Sequence, residues 1–249
     1  MKKLQDKVAI VTGASKGIGA SIARHLAEEG AAVVVNYASS ASDAARVVSD
    51  ITRSGGRAIA VQADVARQAD VDRLFAETEK AFGRVDILVN NAGVYEFAPL
   101  DAVSEASYRK QFDTNVLGVL LASQAAARRF GAVGGSIINI GSVAGTATPP
   151  MGAVYNATKA AVDAITRTLA KEFGPRNIRV NAINPGTVET EGVHATGMFE
   201  SDFLKEAVAK TPLGRLGQPQ DIAPVAVFLA SSDAAWVTGE TLRVAGGLQ

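Results

Sequence analysis

The sequence contains no cysteine, so neither a disulfide framework nor thiolate chemistry is open to it. Only two histidines occur, His25 and His194, too few and too far apart to suggest a zinc site, and no metal is expected. Charge of one sign is not in excess. The 25 basic and 25 acidic side chains cancel, removing any global attraction for nucleic acid or an anionic membrane. Long apolar runs are missing as well, none approaching the ~20 residues that cross a bilayer. The "VAIV" of residues 8–11 is too short for a signal-peptide core. These absences lead to the expectation of a soluble, cytoplasmic protein without nucleic-acid or membrane partners.

What is present is an ordinary globular composition, 47% hydrophobic and 20% charged over 249 residues, with ample material for a core. Short, β-branched apolar runs read as buried strands at 8–11, 32–36, 57–62, 86–90, 136–140, 178–183 and 241–244. Segments of helical period lie between them, at 18–29, 42–54, 70–82, 108–130, 153–173 and 220–231. Such alternation predicts an α/β fold with a parallel sheet covered by helices on both faces. No linker divides the chain, so residues 1–249 are expected to form one domain. The rhythm breaks only near 186–215, after the sixth strand, where a substrate lid with a short helix around 202–210 is expected.

The first strand runs directly into "TGASKGIGASIA", which places Gly13, Gly17 and Gly19 at the entry to a helix. Glycines let backbone approach a pyrophosphate, and the helix N-terminus offers unpaired N–H groups. Ser15, Lys16 and Ile18 complete this loop, whose spacing is G-x-x-x-G-x-G rather than G-x-G-x-x-G. NAD binders place a carboxylate near the end of the second strand to hold the ribose hydroxyls. Here that strand ends in Asn36 and Tyr37, with nothing to repel a 2′-phosphate, while Lys16 and Ser39 can contact one. NADP(H) is therefore the preferred cofactor, with NAD(H) also open.

Tyr155 and Lys159 stand four residues apart on a predicted helix, so their side chains share a face. A cation beside a phenol favours the tyrosinate and would lower its pKa, making a proton exchangeable near neutral pH. The same spacing is also that of an ordinary surface pair.

The ordered set T-G-x-x-x-G-I-G (12–19), N-N-A-G (90–93), Asn115, Ser142, Y-x-x-x-K (155–159) and P-G (185–186) resembles the short-chain dehydrogenase/reductase family along essentially the whole chain. Within that family it looks most like carbonyl reductases and 3-oxoacyl-ACP reductases. The resemblance implies a Rossmann-type doubly wound fold with a seven-stranded sheet, and a catalytic tetrad of Asn115, Ser142, Tyr155 and Lys159. Tyr155 would be the acid/base, Ser142 would orient the substrate oxygen, Lys159 would also bond the nicotinamide ribose, and Asn115 would extend a proton relay. By the same resemblance, Asp64, Val65, Asn90, Asn91, Ala92 and Gly93 line the adenosine side, unless the N-N-A-G run serves mainly to stabilise the central strand. Pro185, Gly186, Val188 and Thr190 meet the nicotinamide side. A homotetramer is implied too, its interfaces formed by the helices near 108–130 and 153–173 and by the segment around Trp236.

The expected reaction interconverts a small-molecule ketone and a secondary alcohol. Candidate pocket residues are Tyr95, Phe97, Thr148, Met151, Val193, His194, Met198 and Phe203, mostly apolar. Arg128 and Arg129 suggest an acidic carrier protein, but a basic helix terminus has the same composition. A 3-oxoacyl-ACP reductase, a sugar dehydrogenase, a lyase or epimerase of the extended branch and a non-catalytic NADP(H) sensor remain alternatives.

Overall fold

Every one of the seven apolar runs is a strand in the computed structural model, which describes residues 2–191 and 202–248, with only the helical backbone for 202 and 203. The strands are β1 (Val8–Val11), β2 (Ala32–Tyr37), β3 (Arg57–Gln62), β4 (Ile87–Asn90), β5 (Gly135–Ile140), β6 (Ile178–Pro185) and β7 (Thr241–Val244). All pair parallel, in the order β3-β2-β1-β4-β5-β6-β7. Chain order reverses between β1 and β4. Connections from these two neighbours leave in opposite directions, opening a crevice beyond their carboxyl ends.

The helices are α1 (Gly17–Glu28), α2 (Ala41–Arg53), α3 (Gln68–Phe82), α4 (Glu105–Phe112), α5 (Gly118–Arg129), the short α6 (Ala144–Ala147), α7 (Ala153–Phe173), α8 (Asp202–Lys210) and α9 (Pro219–Ala230). Alternation along β1 divides the core. Ala9 and Val11 pack with Ile22 and Leu26 of α1, Val47 of α2 and Ile222 of α9, while Ile10 faces Leu74 and Phe75 of α3, Ala122 of α5 and Ala170 of α7. Phe75 is wholly buried, and its truncation to Ala would cost about 3–5 kcal/mol.

Helix boundaries differ from expectation where caps intervene. The helix expected at 108–130 begins at Glu105 because the Ser104 side chain accepts a hydrogen bond from the Ser107 N–H. It then contains a π turn at Asp113–Leu117, where the Gly118 N–H donates to the carbonyl of Asp113, five residues back. Helix α9 starts one residue early, with Pro219 in its first turn and Gln218 and Asp221 forming a reciprocal capping box. In the expected lid, residues 192–201 lie outside the described residues. Leu204 and Ala207 of α8 are buried, so this helix is packed on the body of the protein.

Candidate active site

The crevice is built first from the turn after β1. Gly13 has φ +60°, and a Cβ there would stand 2.8 Å from the Cα of Ala92. A Cβ on Gly19 would meet the Gly13 carbonyl at 2.7 Å and the Asn91 amide closer still. The turn therefore nests against the end of β4, as only glycine permits. Thr12 stitches the two together. Its hydroxyl accepts from the N–H groups of Asn91 (2.9 Å) and Ala92 (3.0 Å), and the Asn91 amide donates to the carbonyls of Thr12 (2.9 Å) and Gly13 (3.0 Å).

Asn36, expected against the nucleotide, is 1% exposed. Its Oδ1 accepts from the Gly13 N–H at 3.1 Å and its Nδ2 donates to the carbonyls of Val61 and Ala63 at 3.2 and 3.0 Å. It holds the turn in place from beneath. Lys16 and Ser39 are exposed, Ser15, Ile18 and Tyr37 half-buried. Asp64 is half-buried, its Oδ1 accepting from the Ala66 N–H, and Val65 is buried. Gly93 is exposed, Pro185 and Val188 are buried, and Gly186 and Thr190 half-buried. A Cβ on Gly17 would sit 3.3 Å from the Thr190 methyl group, so the segment after β6 reaches the glycine turn.

One residue that the sequence reasoning missed stands at that junction. The Glu191 carboxylate accepts a hydrogen bond from the Gly17 N–H at 3.0 Å, putting an anion on a donor at the N-terminus of α1. The glycine-lined contacts and this anion-accepting N–H group fit a dinucleotide pyrophosphate.

Beside the turn lie the four residues expected to act together. Ser142 follows β5, its Oγ accepting from the Ala144 N–H at 3.1 Å, and its hydroxyl lies beside the phenol of Tyr155 on α7. Lys159, one turn further along α7, is 7% exposed; its Nζ donates to the Ile140 carbonyl at 2.9 Å and lies 5.6 Å from the Tyr155 ring centroid. Asn115 sits in the π turn, 1% exposed, with Oδ1 accepting from the Val94 N–H at 2.8 Å and Nδ2 donating to the Val94 carbonyl at 2.8 Å and to Thr158 Oγ1 at 3.1 Å. It clamps the strand β4 exit to α7. Asn90 instead turns inward, donating to Ser123 and Asn139, and supports the central sheet.

The expected lowering of the Tyr155 pKa by Lys159 is reversed in the protein alone. Burial pushes the phenol up to about 12, the neighbouring Ser142 hydroxyl pulls against that, and Tyr95 adds to the rise. The cause is direction as well as burial, since the ammonium is aimed at the Ile140 carbonyl. Lys159 is itself pushed down to about 8 by burial, with the negative charge of Asp163 opposing.

Among the pocket candidates, Tyr95 and Phe97 carry their rings to Tyr155, at centroid distances of 6.2 and 5.5 Å, and to one another at 6.4 Å. Both rings are more than one-third exposed. Thr148 and Met151 take left-handed backbone conformations, φ +45° and +62°, and the Met151 carbonyl accepts from the Ala98 N–H at 2.8 Å. Val193, His194 and Met198 fall outside the described residues, as does the Phe203 side chain. Arg129 is engaged away from the crevice, 3.3 Å from Glu79 and over the Phe75 ring, whereas Arg128 is exposed. No group of metal-ligating side chains occurs among the described residues, and among them no helix is long and apolar enough to cross a membrane.

A parallel seven-stranded sheet with this crevice defines a Rossmann-type nucleotide fold, and comparison with known proteins agrees. Residues 13–249 match the family model described as enoyl-(acyl carrier protein) reductase. The chain is 57% identical, over the full length of both proteins, to an uncharacterized oxidoreductase of Methylorubrum extorquens. It is 41% identical to a probable tetrahydroxynaphthalene reductase of Zymoseptoria tritici, covering 98% of this chain and 95% of that one. A short-chain dehydrogenase of Burkholderia cenocepacia, solved in complex with NADP, superposes with TM-score 0.93 at 37% identity over 99% of each chain. The chain belongs to the short-chain dehydrogenase/reductase family and is an oxidoreductase acting on CH–OH or C=O groups.

Proposed function

We propose that this oxidoreductase reduces ketones to secondary alcohols with NADPH, Tyr155 donating the proton. The observation that carries the proposal is the buried Tyr155 phenol beside the Ser142 hydroxyl, next to a glycine turn whose Gly17 N–H donates to an anion. The nicotinamide supplies the hydride when bound. Hydride addition leaves negative charge on the carbonyl oxygen, and a phenol held near 12 keeps its proton through the neutral range, ready to neutralise that charge. The same high value makes Tyr155 a poor base, which favours reduction over alcohol oxidation. Ser142 holds the substrate oxygen against Tyr155 and supplies a hydrogen bond to the developing charge. Lys159 contributes a cation and a ribose contact, and Asn115 keeps the relay side of the pocket fixed.

Gly13, Ser15, Lys16, Gly17, Ile18 and Gly19 would hold the pyrophosphate. Tyr37, Ser39 and Lys16 would meet the adenosine phosphate, with Asp64, Val65, Asn91, Ala92 and Gly93 on the adenine side and Pro185, Gly186, Val188 and Thr190 around the carboxamide. The preference for NADPH rests on the missing carboxylate after β2 and the exposed Lys16. The relative bound to NADP supports it. Exposed rings of Tyr95 and Phe97 flanking Tyr155 favour flat aryl ketones, in keeping with the tetrahydroxynaphthalene reductase relative.

Initial rates with NADPH and NADH over aryl ketones, β-ketoesters, sugars and acyl thioesters test the proposal. Turnover of aryl ketones with NADPH supports it; no nucleotide oxidation with any carbonyl ends it. We also propose a cytoplasmic homotetramer, since Tyr108, Leu117 and Leu120 expose apolar surface along α4 to α5 and Trp236 is fully exposed. Light scattering should return about four times the 25.7 kDa chain mass; a monomer would remove this part.

A further inference from the structure

Beneath the crevice lies a buried carboxylate that the chemistry above leaves unused. Asp163 follows Lys159 by one turn on α7, so their side chains lie on the same helix face. Asp163 is 5% exposed. Both of its oxygens accept from Asn184 Nδ2 of β6, each at 3.1 Å. Asn184 Oδ1 is buried without a hydrogen-bond partner, so the amide turns its donor to the carboxylate and leaves its acceptor bare. That is the orientation an ionised carboxylate enforces.

The same pair bears on the tetrad through Gly141. A Cβ at Gly141 would stand 3.5 Å from Asp163 Oδ1 and would collide with Asn184 Oδ1, so absence of a side chain there lets the pair pack against this backbone. Gly141 joins Ile140, whose carbonyl holds the Lys159 ammonium, to Ser142. Asp163 thus sits against the peptide that fixes two of the four residues.

We propose that Asp163 is a positioning residue that keeps Lys159 protonated and aimed at the Ile140 carbonyl, with Asn184 holding the carboxylate ionised. The proposal rests on the oxidoreductase site described above. Lys159, desolvated, gains its resolved electrostatic support from Asp163. Asp163 is raised by its own burial and drawn back by the Asn184 hydrogen bond, by Arg167 and Lys159 on α7, and by Arg243 on β7. The other groups facing Lys159 carry no charge: the Ile140 carbonyl of β5, the Tyr155 ring of its own helix, and Gly93 with Asn115 beside it.

The test is NMR titration of the full chain labelled at lysine Cε and Nζ, with Lys159 assigned by the loss of its signal in Lys159→Arg. Asp163→Asn keeps the shape and offers an amide donor to the bare Asn184 oxygen, so packing alone predicts no change. The expected result is a Lys159 pKa about one unit lower in Asp163→Asn and near wild type in Asp163→Glu. In parallel, the alkaline limb of kcat for ketone reduction should move down by a similar amount in Asp163→Asn alone. An unchanged Lys159 titration in a folded Asp163→Asn variant overturns the proposal. If Asp163→Asn does not fold, Asn184→Ala takes its place. Removing the donor weakens the hold on ionised Asp163, so a lowered Lys159 pKa sustains the proposal and an unchanged one overturns it. A wild-type protein that reduces no ketone would end the functional proposal while leaving the titration to decide this one.

Discussion

Glu191 and Gly17 are joined across 174 residues by a 3.0 Å hydrogen bond from a backbone N–H of the glycine turn to a side-chain carboxylate. A carboxylate and a phosphate oxygen compete for the same donor, so under the proposed function a nucleotide whose pyrophosphate takes the Gly17 N–H would displace Glu191. Glu191→Gln removes the charge and should tighten nucleotide binding by about 3- to 10-fold, or ~1 kcal/mol. Calorimetric titration with NADPH measures it, and weaker binding would show that Glu191 assists the nucleotide instead.

Replacing Tyr155 by Phe keeps the ring beside Tyr95 and Phe97 and deletes the proton. The expected loss in kcat is about 10²- to 10⁴-fold, with nucleotide affinity nearly unchanged. Near-normal turnover in Tyr155→Phe would move the acid role to another group.

Lys159 carries a pH signature of known sign. Held at about 8 in the folded protein against an ordinary 10.5, it binds fewer protons folded than unfolded between those values. Its contribution to stability therefore rises with pH from about 8 to 10.5, and below 8 the buried charge is a cost. Lys159→Met should raise Tm at pH 7 while suppressing turnover, with the Tm advantage shrinking toward pH 10. A variant less stable than wild type at pH 7 would show that the Ile140 hydrogen bond outweighs desolvation.

Lys16 and Asn36, both expected to contact the nucleotide, should separate on mutation. Lys16→Ala ought to raise KM for NADPH by about 10-fold and change KM for NADH much less. Asn36→Ala removes two buried hydrogen bonds and a half-buried one under the glycine turn and should cost about 1–3 kcal/mol of stability, affecting both nucleotides alike. Equal effects of Lys16→Ala on the two cofactors would remove the basis for an NADPH preference.

All seven strands could be read from the sequence because parallel strands buried on both faces are continuous β-branched runs, such as Val33 to Val35 between buried neighbours. The glycine turn and the order of motifs were legible for a similar reason, since each marks a strand end. The π turn at Asp113–Leu117 was not, because a one-residue change of wrap leaves helical periodicity almost intact. Glu191 could not be foreseen either, as its partner is a backbone N–H with no signature of its own. The direction of the Tyr155 shift escaped because spacing places a cation near a phenol but says nothing of how much water both lose.

The bond from Ala98 N–H to the Met151 carbonyl joins the stretch bearing Tyr95 and Phe97 to the left-handed corner before α7. These segments leave different strands, β4 and β5, yet one main-chain hydrogen bond ties them together. Selectivity engineering that grafts one of them from a homologue without its mate should therefore misalign both walls, whereas exchanging them as a matched set leaves the sheet beneath undisturbed.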